Sequence, residues 1–171
     1  MIRPATQNDA MRIAEIIVFG WRSAYASIID EKILYKNMSV VKRYESLVEI
    51  LENDHNYFVY EDNEIIKGFF LYGDSREEDE VVNGNLNVTI LLELIAIYVE
   101  PGYKHLGIGS KLIAACEDIA KAKGKDEIRL WVLEDNQSAR RFYEKHGFES
   151  TNVIKKLDRF GVNEVRYKKS I

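Results

Sequence analysis

The chain is poor in cysteine and histidine, and this limits the kinds of site it can hold. It has one cysteine, Cys116, and three histidines, His55, His105 and His146. One cysteine cannot form an internal disulfide framework or a cysteine-based zinc site. The histidines are scattered without ligand spacing, so we expect no metal site. Cys116 falls on the apolar side of a predicted helix, where a small buried hydrophobe is the expected role.

The chain also lacks an excess of positive charge. It has 24 Lys and Arg against 28 Asp and Glu, for a net charge of −4. Nucleic-acid-binding domains normally carry a basic surface, so we expect no nucleic-acid partner. An anionic ligand would have to be attracted by a local group of cations, and the candidates are Lys104, His105, Lys111, Arg140 and Arg141.

Long hydrophobic runs are missing as well. No apolar run approaches the roughly 18 residues of a membrane helix, and no basic segment followed by an apolar core opens the chain as a secretion signal would. We therefore expect no membrane span, no leader and a cytoplasmic location. With 171 residues, 46% of them hydrophobic, the chain can bury one well-packed core. The expectation is a single domain over residues 1–171.

The most informative stretch is an apolar strand that runs into a glycine turn and opens a helix, over residues 91–112. Pro101 ends the strand because it lacks a backbone N–H, and Gly107 and Gly109 allow the backbone to approach a ligand. Free N–H groups at the start of the following helix favour an anion there. A Walker P-loop is excluded because Ile108 and Gly109 stand where Lys and Ser/Thr belong, and a dinucleotide fingerprint because Leu112 replaces its third glycine.

The remaining hydrophobic patterns predict an α/β fold. Helical spacing is seen after Thr6 or Asn8, after Ser39 and over residues 136–146. Strand patterns cover residues 57–60, 65–71, 88–99, 128–133, 151–157 and 165–169. The strand, helix, strand order over residues 88–133 is that of a parallel crossover, and hairpins flank it. One domain built on a mixed sheet follows.

A second constellation follows the turn: Asn136-x-x-Ala139-x-x-Phe142-Tyr143-Glu144-Lys145-x-Gly147-Phe148. With Val99-x-Pro101 and the G-x-G turn before it, and Ile2-Arg3-Pro4-Ala5-Thr6 at the N-terminus, the chain resembles the GCN5-related N-acetyltransferase (GNAT) superfamily. The resemblance covers most of the chain. It implies a single-domain fold with a mostly antiparallel mixed sheet, a parallel pair between the fourth and fifth strands, and flanking helices.

The resemblance implies acetyl-CoA as cofactor, released as coenzyme A. It places the cofactor contacts at the end of the strand, on the turn and on the two following helices: Ile97, Tyr98, Val99, Lys104, His105, Leu106, Gly107, Ile108, Gly109, Ser110, Asn136, Ser138 and Tyr143. The family turn usually begins with Arg or Gln, whereas this one begins with Lys104. Lysine keeps the charge but loses the planar fork that grips phosphate, so we expect weaker or differently balanced binding.

The expected reaction is direct attack of an amine on the thioester. Freeing the lone pair of a lysine-like amine at pH 7 costs about 4.6 kcal/mol, which a positioned base relieves. Glu93, the single charge on the long strand, is the candidate base by the resemblance; a structural carboxylate is the alternative. The resemblance makes Tyr143 the acid that protonates the departing thiolate, and it assigns the oxyanion to backbone N–H groups near Ile97 to Val99.

The acceptor is a small-molecule or peptide amine that the sequence does not identify. Trp21 and Tyr25 lie near the end of the first helix, where the family forms one wall of the acceptor site, although Trp21 also fits a core position. The acidic stretch after Gly73 either attracts a cationic acceptor or is a solvated loop. A homodimer is compatible with the resemblance. The alternative function is a non-catalytic module that binds acyl-CoA on the same fold.

Overall fold

The computed structural model describes residues 1–74 and 91–171. Within these residues one sheet has the strand order β1-β2-β3-β4-β5-β7-β6. Its strands are β1 (Ile2–Pro4), β2 (Tyr57–Asp62), β3 (Ile65–Asp74), β4 (Leu91–Val99), β5 (Glu127–Leu133), β6 (Glu149–Leu157) and β7 (Val162–Ser170). Neighbouring strands are antiparallel except β4 and β5, which are parallel. The predicted mixed sheet with a parallel crossover is confirmed.

Helices cover both faces of the sheet. They are α1 (Ala10–Tyr25), α2 (Val40–Asn53), α3 (Ile108–Ala122) and α4 (Gln137–Lys145), with short 3-10 or π turns at Gln7–Asp9, Ile33–Asn37 and Pro101–Tyr103. On one face, Ile13 of α1 and Leu47 of α2 pack with Phe69 of β3. On the other, Leu112 of α3 and Tyr143 of α4 pack in a second core. The apolar stripes read from the sequence therefore face the sheet.

Local side-chain bonds begin the helices where the sequence suggests. The Ser39 hydroxyl accepts a hydrogen bond from the Lys42 backbone N–H (3.4 Å) at the start of α2. Asn136 Oδ1 accepts one from the Ala139 N–H (3.1 Å) at the start of α4. Each bond satisfies one of the free N–H groups of a helix N-terminus. The Asn136 cap fixes the residue at which α4 begins, and therefore the position of Tyr143 along that helix.

The parallel pair of β4 and β5 opens soon after it begins. Pairing joins only Leu91, Leu92 and Glu93 to the first three residues of β5, although β4 continues to Val99. A β-bulge lies at Ile95, because Leu94 and Ala96 pair with successive residues of β3. Bulges bend and twist a strand. The end of β4 thus faces β5 without ladder hydrogen bonds, and a wedge-shaped opening separates the two strands.

The structure changes one boundary in the acidic region. Gly73 and Asp74 were expected in a loop but extend β3, where they pair with Glu93 and Leu92. Residues 88–90 of the expected long strand, and the acidic residues Glu77 to Glu80 with Gly84, lie outside the described residues. The prediction that this stretch attracts a cationic acceptor therefore lies outside them too.

Candidate active site

The turn before α3 presents backbone donors in the manner of an anion site. His105 and Gly107 adopt positive φ angles of 65° and 76°, which turn the chain sharply into the helix. The N-cap of α3 is Gly107, which has no side chain to cap the helix, so the backbone N–H groups of Ile108, Gly109 and Ser110 keep their bonding capacity at the positive end of the helix dipole. Leu106 is 65% exposed and leaves the turn open to a ligand. These features fit the phosphate groups of coenzyme A.

Glycine is favoured at the two positions of the turn, Gly107 and Gly109, for different structural reasons. A Cβ on Gly107 would contact nothing within 4 Å, so its positive φ angle is what favours glycine there. A Cβ on Gly109 would lie 3.0 Å from Cζ of Phe142. The sequence interpretation, that both glycines let the backbone approach a ligand, stays a prediction. Gly109 also lets α3 approach the Phe142 ring of α4.

The predicted group of cations is only partly assembled. Lys104 Nζ contacts the Ser23 hydroxyl (3.2 Å) and Lys111 Nζ the Tyr60 hydroxyl (3.3 Å), and both amines flank the turn. Arg140 instead donates to the Tyr167 hydroxyl and to the Glu134 carbonyl, both at 3.0 Å. The Arg140 guanidinium therefore braces α4 against β7, and its part in attracting an anionic donor stays a prediction.

His146 links α4 to the start of α3. Its Nδ1 lies 2.7 Å from the Phe142 carbonyl and its Nε2 lies 2.8 Å from the Ser110 hydroxyl. A carbonyl can only accept, so Nδ1 carries a hydrogen, and a neutral ring would then accept from Ser110 at Nε2. His146 is also the C-terminal cap of α4. Its bond to Ser110 was missed, since no local pattern joins residues 36 positions apart.

Asn136 and Ser138 stand at the first turn of α4. The side-chain oxygen of Asn136 is engaged in capping that helix, which leaves its amide N–H₂ as the group able to reach a ligand. Ser138 is exposed. Contacts of both residues with the cofactor stay predictions.

Tyr143 carries a buried hydroxyl near Tyr98 of β4. Its ring packs against Phe148 and Tyr167, with centroids 5.9 and 6.4 Å away, and the residue is 9% exposed. Burial raises the pKa of the Tyr143 hydroxyl, and the nearby Tyr98 raises this pKa further. Across residues 1–74 and 91–171, no side chain or backbone group hydrogen-bonds this hydroxyl. It therefore remains protonated at neutral pH and keeps its proton for a ligand.

A partly exposed aromatic cluster lies on the opposite face of the sheet. It consists of Trp21 and Tyr25 of α1, Tyr98 of β4 and Phe160 of the β6–β7 turn. The Trp21 ring meets Tyr25 at 5.1 Å and Phe160 at 5.4 Å, and Trp21 Nε1 donates to the Tyr98 hydroxyl at 2.8 Å. Phe160 was missed, because only the folded hairpin brings it to α1. The structure thus joins the two predicted acceptor residues, Trp21 and Tyr25, in one cluster.

Glu93 is buried, at 2% exposure, where β4 and β5 are last paired. It lies directly beside Arg129 of β5 in the parallel register. Four residues separate Glu93 from Ile97, or about 13 Å along a strand. A proton would cross that distance only through water.

A model of the acetyltransferase (GNAT) family matches residues 21–148 of this sequence. The chain belongs to that family. It is accordingly an acetyltransferase, and acetyl-CoA is its acetyl donor. The GNAT resemblance read from the sequence is confirmed, together with the fold it implied.

Two relatives show the likeness at the level of sequence. The spermidine N(1)-acetyltransferase of Thermoplasma acidophilum is 29% identical over 154 residues, which are 86% of this chain and 87% of that protein. An uncharacterized N-acetyltransferase of Bacillus subtilis, YuaI, is 28% identical over 80% of this chain and 73% of its own length.

Solved structures share the GNAT fold of this chain. The PaiA N-acetyltransferase of Thermoplasma acidophilum, solved with coenzyme A, gives a TM-score of 0.73 at 22% identity and covers 100% of this chain and 98% of its own. YncA of Salmonella typhimurium, solved with acetyl-CoA, gives 0.68 at 20% identity over 99% and 92%.

The described ranges, 1–74 and 91–171, lack two kinds of feature. No helix in them is long and apolar enough to cross a membrane. No group of three or more His, Cys, Asp or Glu side chains in them could hold a metal ion.

Proposed function

We propose that this GNAT protein transfers the acetyl group of acetyl-CoA to a primary amine of a polyamine by direct attack, with Tyr143 as the acid. The observation that carries the proposal is the opening between β4 and β5. On its α3 side we place the buried Tyr143 hydroxyl, which lies near Tyr98 of β4, and on its α1 side the aromatic cluster, which contains Tyr98. Donor and acceptor can thus approach the same gap from opposite faces.

The chain's own groups suit each part of the bound donor. Acetyl-CoA supplies an activated acetyl group when it is bound. The uncapped start of α3 and the exposed turn from Lys104 to Gly107 would bind its phosphates. The end of β4, from Ile97 to Val99, lacks ladder partners on β5. Its backbone can therefore bond the donor chain and stabilise the developing oxyanion.

Tyr143 is proposed to hold a proton at its hydroxyl and to give it to the departing thiolate. Its raised pKa supports this role, because the group is protonated throughout the neutral range. Glu93 is proposed as the base that takes the first proton from the ammonium form of the acceptor through intervening water. Glu93→Gln should then lower kcat while the Kd for acetyl-CoA is retained, and an unchanged kcat would make Glu93 structural.

A polyamine acceptor is supported by two observations. The relative that is 29% identical over 86% of this chain is named a spermidine N(1)-acetyltransferase. In addition, Trp21 and Tyr25 present aromatic faces, which attract ammonium groups. Glu164 of β7 lies near this cluster, as it raises the pKa of both Tyr25 and Tyr98. A cation would find favourable electrostatics between these groups.

A thiol-release assay with acetyl-CoA tests the proposal. Spermidine, the matched diamine 1,3-diaminopropane, lysine and a peptide with a free N-terminus serve as acceptors. We expect coenzyme A release to be fastest with spermidine. Fast release with the peptide and none with spermidine would overturn the polyamine assignment. Release with no acceptor, while acetyl-CoA still raises Tm, would favour the non-catalytic module.

The chain is also proposed to form a homodimer through β6. This strand is at the sheet edge and carries exposed Val153 and Ile154, at 39% and 55%. Such edges readily pair with another copy. Light scattering would show a mass near 40 kDa if the 19.8 kDa chain pairs, and a monomer mass at high concentration would contradict the proposal. The cytoplasmic location and the absence of a nucleic-acid partner stay predictions.

A further inference from the structure

The His146 ring bridges the end of α4 and the first turn of α3. Its Nδ1 lies 2.7 Å from the Phe142 carbonyl oxygen, and its Nε2 lies 2.8 Å from the Ser110 hydroxyl oxygen. The ring also packs on the Phe142 ring, with centroids 4.4 Å apart, and the Phe142 ring lies close to Gly109 of α3. These contacts fix the orientation of the imidazole ring against the start of α3.

The charge state of His146 decides what the Ser110 hydroxyl can donate to. The Phe142 carbonyl can only accept, so Nδ1 carries a hydrogen whether the ring is neutral or charged. In the neutral ring Nε2 accepts, and the Ser110 hydroxyl donates its one hydrogen to that nitrogen. In the protonated ring Nε2 donates, the Ser110 oxygen accepts, and the hydroxyl hydrogen is free for a ligand. Both states use the same positions of nitrogen and oxygen, so neither helix has to move.

Ser110 belongs to the anion site at the start of α3. It is exposed and lies in the first turn of the helix, which begins at Ile108. Its backbone N–H is among the free donors of the helix N-terminus. A free hydroxyl hydrogen at Ser110 would add one donor to this site, and the protonated His146 ring would add a positive charge next to it.

Other charged groups around His146 have partners of their own or are exposed. Within residues 1–74 and 91–171, no carboxylate pairs with His146 itself. An anionic donor at the turn would thus supply the negative charge that favours the protonated ring. His105 is the other histidine near the turn, and it is exposed. The groups with partners are Lys104 (Ser23), Lys111 (Tyr60), Glu117 (Lys169 of β7) and Glu144 (Tyr167 of β7), and the exposed ones are Arg141, Lys145 and Glu149.

We propose that His146 is a positioning residue for donor binding, and that the turn binds acetyl-CoA more tightly when His146 is protonated. The Ser110 hydroxyl is then free to donate to the donor's phosphates. The proposal rests on the donor-binding turn of the function proposed above. A donor that prefers the protonated ring must by linkage also strengthen proton binding. Binding therefore takes up a proton from solution, and Kd rises with pH.

The test is a calorimetric titration of the full chain with dephospho-coenzyme A, without an acceptor. This probe keeps the diphosphate but lacks the phosphate monoester of coenzyme A, a kind of group that itself titrates near pH 6. The titrations are made at about pH 6 and about pH 8, on either side of the ordinary histidine range. For the wild type, Kd should rise about tenfold between them, the size of one hydrogen bond to a charged group. Titrations in two buffers of different ionisation enthalpy should show net proton uptake.

His146→Gln removes the titrating ring and keeps a side-chain amide that can donate to Ser110. Its Kd should be nearly the same at both pH values, and binding should take up no proton. Ser110→Ala should lose most of the pH dependence as well, because the hydroxyl carries the link. His105→Asn is the matched control, since asparagine tolerates the positive φ angle of 65° at that position. It should keep the rise in Kd with pH, whatever its affinity for the probe.

A wild-type Kd that is equal at both pH values would overturn the linkage. Full pH dependence in His146→Gln, or its loss in His105→Asn, would overturn it too. Proton uptake by the wild type requires no variant, so its absence contradicts the proposal even where a variant fails to fold. A His146 that only caps α4 would lower Tm on substitution and leave the pH dependence unchanged. Proton-linked binding by a wild type that acetylates no amine would instead overturn the proposed function.

Discussion

At the scale of the residue, Tyr143 has separable structural and chemical parts. The ring fills space between α4 and the sheet, in contact with Phe148 and Tyr167. The hydroxyl forms no hydrogen bond with the described residues and lies near Tyr98 of β4. Phenylalanine keeps the ring and removes only the hydroxyl. The chemical part can therefore be tested with little change in packing.

We predict that Tyr143→Phe lowers kcat and kcat/KM together by about 10²-fold, because a proton donated only in the transition state affects both. Affinity for acetyl-CoA should stay within about twofold. Steady-state kinetics and calorimetric titration measure the two quantities. A kcat within twofold of wild type would show that Tyr143 only packs.

The pH dependence of kcat is a second test of the role of Tyr143. The folded pKa of Tyr143 is raised, so its proton is lost only above the ordinary range near 10. The wild-type kcat should therefore not fall on the alkaline side up to about pH 9.5. The acidic limb should persist in Tyr143→Phe, because the ammonium acceptor still has to lose its first proton.

At the scale of the element, the start of α3 has two functions. Its uncapped N–H groups face the turn, and its first residues pack on α4 through Gly109 and Phe142. His146 adds a bond from the end of α4 to Ser110 of α3. The turn can bind an anion in a defined geometry because two helices hold it in place.

We predict that Gly109→Val abolishes the rise in Tm that acetyl-CoA produces in the wild type. At a ligand concentration of 100 Kd this rise reflects about 2.7 kcal/mol of stabilisation. Valine would displace Phe142, and overpacking of this kind typically costs about 1 to 3 kcal/mol, so Tm without ligand should fall too. Differential scanning fluorimetry measures both.

Gly102→Ala is the matched control for the turn. A Cβ at Gly102 contacts nothing within 4 Å, and its φ angle is not positive. This variant should keep both Tm and the acetyl-CoA shift. An undiminished shift in Gly109→Val would mean that the donor does not bind at this turn.

At the scale of the whole molecule, charge distinguishes the two sides of the opening. The chain has a net charge of −4, which favours a cationic acceptor and disfavours an anionic donor at long range. Lys104 and Lys111 flank the turn and offset this locally for the donor. Glu164 lies on the acceptor side. The donor and the acceptor therefore bind in different local electrostatic environments.

We predict that KM for spermidine rises with salt, because the Debye length falls from about 10 Å at 0.1 M to 3 Å at 1 M. Ethanolamine, a monoamine, serves as the control acceptor and should show a smaller rise. Initial rates at fixed acetyl-CoA and several salt concentrations give both values. Equal salt dependence for the two amines would remove long-range attraction as a basis for polyamine preference.

By itself the sequence determined the features that depend on near neighbours along the chain. The apolar spacing of the helices and the caps Ser39 and Asn136 are local patterns, and they reappear in the structure. The turn at Gly107 follows from a short motif of the same kind. Cys116 is buried as expected, and burial raises its pKa to about 12.

Only the tertiary structure decided which distant residues meet. The bulge at Ile95 changes the facing of the strand and turns the Tyr98 side chain toward Trp21, 77 positions away, while a backbone contact of Tyr98 with the cofactor stays a prediction. The hairpin brings Phe160 to α1, and Arg140 turns to Tyr167. Strand register and bulges decide which distant residues come into contact. The register and the bulges depend on the packing of the whole sheet, and no local pattern of residues encodes that packing.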